Sequence, residues 1–186
     1  NPEVVKKSYQ LPLNKIVIST WINDCLKQNL GMGPFPIVYN GLDTSIYHLT
    51  TQKKTESEIS FLMLNHKLAK KGIPNGLTVF EKVKKKYPDA KLRMFGMSDN
   101  TNLPEDVEYF QNPSKDKIVE LYSQADVFIF PSLEEGWGLT PLEAMACGCV
   151  VVGTRTGFVL DLGKHRENMM ISEPGDVSGM VENVEE

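Results

Sequence analysis

Residues 131–149 read PSLEEGWGLTPLEAMACGC, and they lie between two apolar runs, ADVFIF at 125–130 and CVVVG at 149–153. A short, uninterrupted apolar run is typical of a strand that is covered on both faces of a parallel sheet. The chain between the runs must leave one strand, form a helix and enter the next strand. This stretch therefore predicts a strand–helix–strand unit, which is the building block of α/β folds.

The helix of this unit is predicted by local signals at both ends. Thr140 is suited to the N-cap, Pro141 to the first helical position, and Glu143 to the last position of a T-x-x-E capping box. Gly148 is placed for the left-handed turn that often ends a helix. We therefore expect a helix that is capped by Thr140 and stops at Gly148.

Apolar strand-like runs and helix-like segments alternate over the rest of the chain as well. Further strands are predicted at 15–19, 59–64, 91–95, 107–110 and 169–172, and further helices at 20–30, 72–87, 114–124 and in the last residues. This alternation favours the α/β class, with a Rossmann-like, doubly wound parallel sheet. Such sheets bind their ligands beyond the carboxyl ends of the strands.

The composition is that of a folded protein. The chain has 186 residues, of which 41% are hydrophobic, enough for one globular domain or for one domain with part of another. Lys and Arg total 20 against 24 Asp and Glu, so no nucleic-acid partner is expected. No apolar run approaches the roughly 20 residues of a membrane helix. The first 20 residues lack the pattern of a secretory signal, which favours a cytoplasmic protein.

The cysteines predict neither a disulfide framework nor a metal site. Cys25, Cys147 and Cys149 are odd in number, and no second cysteine pair or spaced histidine pair accompanies 147–149. We expect free thiols, a reducing compartment and no bound metal.

Two glycines precede the predicted helix and predict exposed backbone N–H groups at its start. Gly136 and Gly138 leave these groups uncovered, and the helix dipole adds partial positive charge, a combination that binds phosphate. An ordinary strand-to-helix turn is the alternative interpretation. The lysine of a Walker A loop and the third glycine of a dinucleotide fingerprint are both missing here.

Residues 135–148 also carry a resemblance to a known family. Glu135 and Glu143, with AMACG after them, resemble the Glu-x7-Glu signature of retaining GT-B glycosyltransferases of family 4. ADVFIFPS at 125–132 resembles the strand and turn before that signature, NGLD at 40–43 resembles the family's NGxD turn, and Lys71-Gly72 resembles its KG pair. These matches occur in the family's order along the chain. The resemblance implies one Rossmann-like half of a GT-B fold, the half that binds the donor.

The resemblance also implies roles for individual residues. Glu143 matches the glutamate that binds the ribose hydroxyls of the donor, and Glu135 matches the glutamate that meets the donor sugar. Lys71 matches the lysine that offsets the charge of the diphosphate. The other residues expected to bind the donor are Gly136, Trp137, Gly138, Leu139, Thr140, Asn40, Gly41, Phe110, Gln111, Asn112 and Lys117.

His66 marks a departure from the family pattern. Many relatives have arginine five residues before the lysine, whereas this chain has His66. A histidine after a strand is either structural or, as we expect here, a phosphate contact that acts in catalysis with Glu135 and Lys71. A diphosphate favours the charged imidazolium, so donor affinity should weaken as the pH rises above about 7.

The implied function is the transfer of a sugar from a UDP- or GDP-linked donor to an acceptor, with retention of configuration and without an essential metal. Residues 1–35 are expected to be the end of an N-terminal domain and a connector, and residues 36–186 a donor domain cut short at its C-terminus. The acceptor, a cell-surface glycan or lipid-linked glycan, would bind the missing domain, which could also place the enzyme at the inner membrane face. The isolated fragment should then be nearly inactive. A nucleotide-binding or regulatory module without transferase activity is the alternative, followed by a GT-B epimerase or phosphorylase.

Overall fold

The computed structural model describes residues 2–50, 58–97, 99 and 103–186. It divides into two compact units, one that ends at Gly41 and one that comprises Leu42–Glu186. No helix in the described ranges is long and apolar enough to cross a membrane.

The first unit contains two helices. Helix α1 is Pro2–Tyr9, and helix α2 is Thr20–Leu30. Ser19 caps α2, because its hydroxyl accepts a hydrogen bond from the Ile22 N–H at 3.3 Å. The strand predicted at 15–19 is wrong: within this unit the segment forms a single bridge, from Val17 to Ile37.

The second unit is built on a six-stranded parallel sheet with the order β3-β2-β1-β4-β5-β6. The strands are β1 Ser60–Leu64, β2 Lys91–Gly96, β3 Glu108–Gln111, β4 Val127–Phe130, β5 Val150–Thr154 and β6 Met170–Ser172. The chain builds outward in one direction from β1 to β3 and in the other from β4 to β6. The predicted Rossmann-like sheet is therefore confirmed, and the order reverses between β1 and β4, where such sheets bind ligands.

Helices cover both faces of the sheet. They are α3 Ile73–Lys86, α4 Lys115–Gln124, α5 Leu139–Ala146, α6 Val159–Leu162 and α7 Val177–Glu185, with a short 3₁₀ turn at Ala69–Lys71. Helices α3 and α7 pack together against one face, whose buried side chains include Met94 and Ile129. The next residues along two of these strands, Phe95 and Phe130, belong with the opposite face by the two-residue period of a strand. The sheet is thus a buried layer between helices.

The capping box predicted for α5 is wrong. The helix begins at Leu139, with Gly138 at the N-cap and no side chain of the described residues bonded to the cap. Thr140 is therefore the second helical residue and Pro141 the third. Gly138 has a φ of +89°, and a Cβ there would lie 3.1 Å from the Phe130 ring, so glycine is favoured at this position. The turn into the helix is made at Gly138, two residues ahead of Thr140.

Candidate functional site

Two loops meet at the carboxyl ends of β1 and β4. The Leu133 N–H donates a hydrogen bond to the Lys70 carbonyl at 2.7 Å, which ties the β4–α5 loop to the 3₁₀ turn after β1. Gly72 follows that turn with a φ of +64°, and a Cβ on it would lie 2.0 Å from the Pro131 carbonyl oxygen. Only glycine allows this approach, so Gly72 keeps the two loops in contact.

The loop contact brings together two of the three residues that we expected to act in catalysis. Lys71 Nζ lies 2.5 Å from Glu135 Oε1, and the two side chains are only 20% and 9% exposed. The buried Ser132 hydroxyl donates to the same carboxylate oxygen at 2.9 Å. The Glu135 carboxylate is therefore held by a lysine and a hydroxyl at the point where the strand order reverses.

The pocket around this ion pair is narrow. Its volume is about 10 Å³, and its lining includes Lys71, Glu135 and Thr140. A volume of this size holds at most about one water molecule.

The start of α5 offers the backbone groups expected of an anion site. Within the described chain no side chain caps the helix at Gly138, and the first amides of a helix have no partner within it. Leu139 is 42% exposed, whereas Trp137 is buried and packs on Phe158 with ring centroids 6.0 Å apart. Leu139 and Gly138 thus lie at the open end of the helix, while the Trp137 side chain anchors the loop.

Glu143 lies one turn along α5, where two tyrosines surround its carboxylate. The Tyr122 hydroxyl donates to Glu143 Oε2 at 2.9 Å. Burial, and then the negative charge of Glu143, raise the pKa of Tyr47 to about 12, and the same causes hold the pKa of Tyr122 well above its usual value. Both phenols therefore stay protonated, and that of Tyr122 donates to Glu143.

His66 lies in the turn after β1, beside a wide cavity. Its Nδ1 accepts a hydrogen bond from the Leu68 N–H at 3.0 Å. The cavity has a volume of about 580 Å³, and its polar lining includes Lys67 and Asp99, which form an ion pair at 3.1 Å. Ile73 lines both this cavity and the narrow pocket, so His66 and Lys71 lie on neighbouring openings.

The segment expected to read the base lies at the end of β3. Lys117 Nζ lies 5.1 Å from the centre of the Phe110 ring and 2.7 Å from Glu120 Oε1. Asn112 has a φ of +47°, and its N–H donates to the Gly96 carbonyl at 2.7 Å. Phe110 and Lys117 are thus brought together, with the exposed Gln111 beside them.

Asn40 and Gly41 are exposed residues at the end of the first unit. Their part in donor binding stays a prediction. In the described part of the chain, no three His, Cys, Asp or Glu side chains come close enough to hold a metal ion.

Sequence reasoning missed Tyr47, Tyr122 and Ser132. Tyr122 stands at a helical position that indicates the core, and its hydroxyl gains a partner only through the packing of α4 on α5. Ser132 carries a detectable signal, because it is a polar residue at the carboxyl end of a buried strand.

Residues 49–186 match the family described as glycosyl transferases group 1. The chain belongs to this family. The match covers all six strands and thus the residues at the carboxyl ends of β1 and β4. The expectation of a group 1 glycosyltransferase domain, which the Glu-x7-Glu resemblance raised, is therefore confirmed.

Two curated relatives illustrate the range of this family. The chain is 28% identical over 162 residues to N-acetyl-alpha-D-glucosaminyl L-malate synthase of Bacillus anthracis, covering 78% of this chain and 42% of the relative. It is 28% identical over 124 residues to the capsular polysaccharide biosynthesis glycosyltransferase CapM of Staphylococcus aureus, covering 62% of this chain and 33% of the relative. The chain spans about two fifths of the length of the first of these.

Solved structures share the fold at low identity. Sucrose-phosphate synthase of Thermosynechococcus elongatus matches 98% of this chain with a TM-score of 0.79 and 20% identity, and the match covers 52% of that protein. HepE of Anabaena, determined in complex with UDP-glucose, matches 91% of this chain with a TM-score of 0.75 and 17% identity, again over 52% of that protein. These likenesses confirm the predicted fold, one Rossmann-like half of a GT-B architecture.

Proposed function

We propose that the second unit is the donor-binding domain of a retaining glycosyltransferase, which moves a sugar from a nucleoside diphosphate sugar to an acceptor. The observation that carries the proposal is the Lys71–Glu135 pair at the reversal of strand order, next to the uncapped start of α5. A cation and a helix N-terminus are the groups that a diphosphate requires.

In this proposal the residues act on the two halves of the donor in turn. When the diphosphate enters, Lys71 turns from Glu135 to the phosphate oxygens, where its charge offsets that of the leaving group. Glu135 then accepts hydrogen bonds from the hydroxyls of the sugar, with Ser132 still holding one oxygen. The same two residues thus close the site when it is empty and divide between phosphate and sugar when it is filled.

The ribose and the base of the donor are assigned to residues around α4 and α5. Glu143 accepts from the ribose hydroxyls, and the base lies beside Phe110 and Lys117, whose ammonium lies over the Phe110 ring at 5.1 Å from its centre. The complex of HepE with UDP-glucose supports a UDP-linked donor, with GDP as the second candidate. We propose that no metal is essential, since Lys71 and the α5 amides would supply the positive charge.

The acceptor and the setting of the reaction belong to the same proposal. The acceptor is a glycan or a lipid-linked glycan that binds another domain, and the name of the capsular relative supports polysaccharide synthesis. The full enzyme would work in the cytoplasm, at the inner face of the membrane. The 186-residue chain alone should bind donor and transfer almost no sugar. Robust transfer by it would contradict the assignment of donor and acceptor binding to different domains.

The test is a ligand panel on the chain itself. UDP, GDP, their sugars, ADP and NAD are added in a thermal unfolding assay, since a bound ligand raises stability by mass action. We expect UDP or GDP compounds to raise the melting temperature. Selective stabilisation by NAD would instead support a nucleotide-binding module without transferase activity.

A substitution makes the panel specific to the site. Glu143→Ala should weaken nucleotide binding by roughly 1–3 kcal/mol, the usual loss for a charged hydrogen-bond partner. Glu134→Ala is the matched control, because Glu134 is an exposed acid beside Glu135. Equal affinity of both variants would contradict the assignment of Glu143.

A further inference from the structure

Tyr122 is held rigidly under the site. It is 0% exposed, and its ring makes edge-to-face contacts with Phe95 and Phe128 at centroid distances of 5.7 and 5.6 Å. These contacts fix the direction of its C–O bond, because the ring cannot tilt without disturbing the packing on this face of the sheet. Its hydroxyl therefore reaches Glu143 from a fixed position.

Tyr47 reaches the same carboxylate from a different segment. The Asp43 carbonyl accepts a hydrogen bond from the Tyr47 N–H at 3.0 Å, and the Asp43 side chain accepts from the Ser45 N–H at 3.0 Å. This turn brings the Tyr47 ring edge-on to Tyr122, with centroids 6.5 Å apart, and close enough to Glu143 that, after burial, its charge raises the pKa of the Tyr47 hydroxyl. Two phenols on two elements thus converge on one acid.

The chemistry of this arrangement suits a carboxylate that must accept further hydrogen bonds. An ionised carboxylate has about four lone-pair sites and donates nothing. The Tyr122 hydroxyl occupies part of this capacity, and the neighbouring Tyr47 phenol restricts rotation of the side chain. The remaining sites suit two adjacent hydroxyls, which is the chemical pattern of a ribose.

We propose that Tyr47 and Tyr122 are positioning residues that hold Glu143 in the orientation in which it accepts the two ribose hydroxyls of the donor nucleotide. This inference rests on the proposed function, and it adds two residues that act through Glu143 and do not touch the ligand. The inference also assigns a role to segment 42–49, because Asp43 accepts the hydrogen bonds that form the turn in which Tyr47 lies.

The test compares ligands with and without the two hydroxyls. Tyr122→Phe and Tyr47→Phe each remove one oxygen and keep the ring. Isothermal titration measures the affinity of each variant for UDP and GDP and for their 2′,3′-dideoxy counterparts. We expect each variant to bind the ribose nucleotide about three- to tenfold more weakly, the usual worth of one hydrogen bond. With the dideoxy nucleotide, which lacks the hydroxyls that Glu143 accepts, the same substitution should weaken binding by less than about twofold. The effects of two changes depend on each other only when the changed groups interact.

The controls separate positioning from stability and from the proposed function. Tyr87→Phe makes the same change at the end of α3, and it should leave both affinities unaltered. Tyr47 is only partly buried, so its variant carries the test if Tyr122→Phe does not fold. Equal losses for ribose and dideoxy nucleotides, or no loss at all, would overturn the inference alone. Failure of the unsubstituted chain to bind UDP or GDP would overturn the proposed function and this inference with it.

Discussion

Substitution of Gly72 by alanine should separate the two loops that form the site. The added Cβ would lie 2.0 Å from the Pro131 carbonyl oxygen, so one loop has to retreat by more than an ångström. Such a shift breaks the hydrogen bond from the Leu133 N–H to the Lys70 carbonyl, which is 2.7 Å long. Because Lys71 and Glu135 extend from these loops, their ion pair is disturbed as well.

The magnitude follows from three contributions. Alanine at a left-handed φ costs about 1–2 kcal/mol. The lost hydrogen bond adds about 1 kcal/mol and the overpacked contact about 1–3 kcal/mol. Gly175→Ala is the matched control, since Gly175 has a φ of +85° but a Cβ added there would meet no atom of the described residues within 4 Å, so it carries the backbone cost alone.

We therefore expect Gly72→Ala to be less stable than Gly175→Ala by about 2–4 kcal/mol, which corresponds to a melting temperature lower by about 4–16 °C for a chain of this size. Thermal unfolding followed by circular dichroism measures both variants. Nucleotide affinity should also fall in Gly72→Ala and stay unaltered in Gly175→Ala. Equal melting temperatures would refute the idea that the close approach of the two loops holds the site together.

Two further predictions concern a histidine and the thiols. His66→Gln should weaken nucleotide binding, because the variant loses the imidazole that we expect to contact the diphosphate; titration calorimetry checks this, and an affinity equal to that of the unsubstituted chain would exclude the contact. Burial raises the pKa of the Cys147 thiol to about 11 and that of Cys149 to about 12, so both stay protonated at about pH 8 and should resist a thiol reagent that labels the half-exposed Cys25. Three thiols labelled at the same rate in the native protein would contradict this.

The sheet and most of its helices could be predicted because their signals are local. The strand at 91–96 and the helix at 73–86 each show apolar residues at the period of their own structure. The helix 115–124 begins where Ser114 caps it, with the Ser114 oxygen accepting from the Lys117 N–H at 3.3 Å. Agreement between local pattern and final structure is what a foldable sequence requires.

The predictions that failed depended on tertiary context. Thr140 has the chemistry of an N-cap, but the left-handed Gly138 starts the helix earlier, and no propensity scale contains the Phe130 ring, which would lie 3.1 Å from a Cβ at position 138. Helix α1 is not predicted by the sequence, since its eight residues offer only a short pattern. The segment 15–19 has strand composition, yet a single bridge at Val17 is all that the described part of its unit forms.

The site shows the same division. The family motif identified Lys71, Glu135 and Glu143, but it could not show that Lys71 and Glu135 contact each other while Glu143 contacts Tyr122. These partners come from segments that are 64 and 21 residues apart in the chain. Only the fold brings such residues together.

The separation of Lys71 and Glu135 along the chain affects how the protein folds. A large loop must close before β4 can pair with β1, and loop-closure entropy makes parallel pairing of distant strands slow. We therefore expect the ion pair to form late, after most of the sheet is in place. We expect a nucleotide that binds at this site to recognise only the finished fold, and therefore to slow unfolding without accelerating folding.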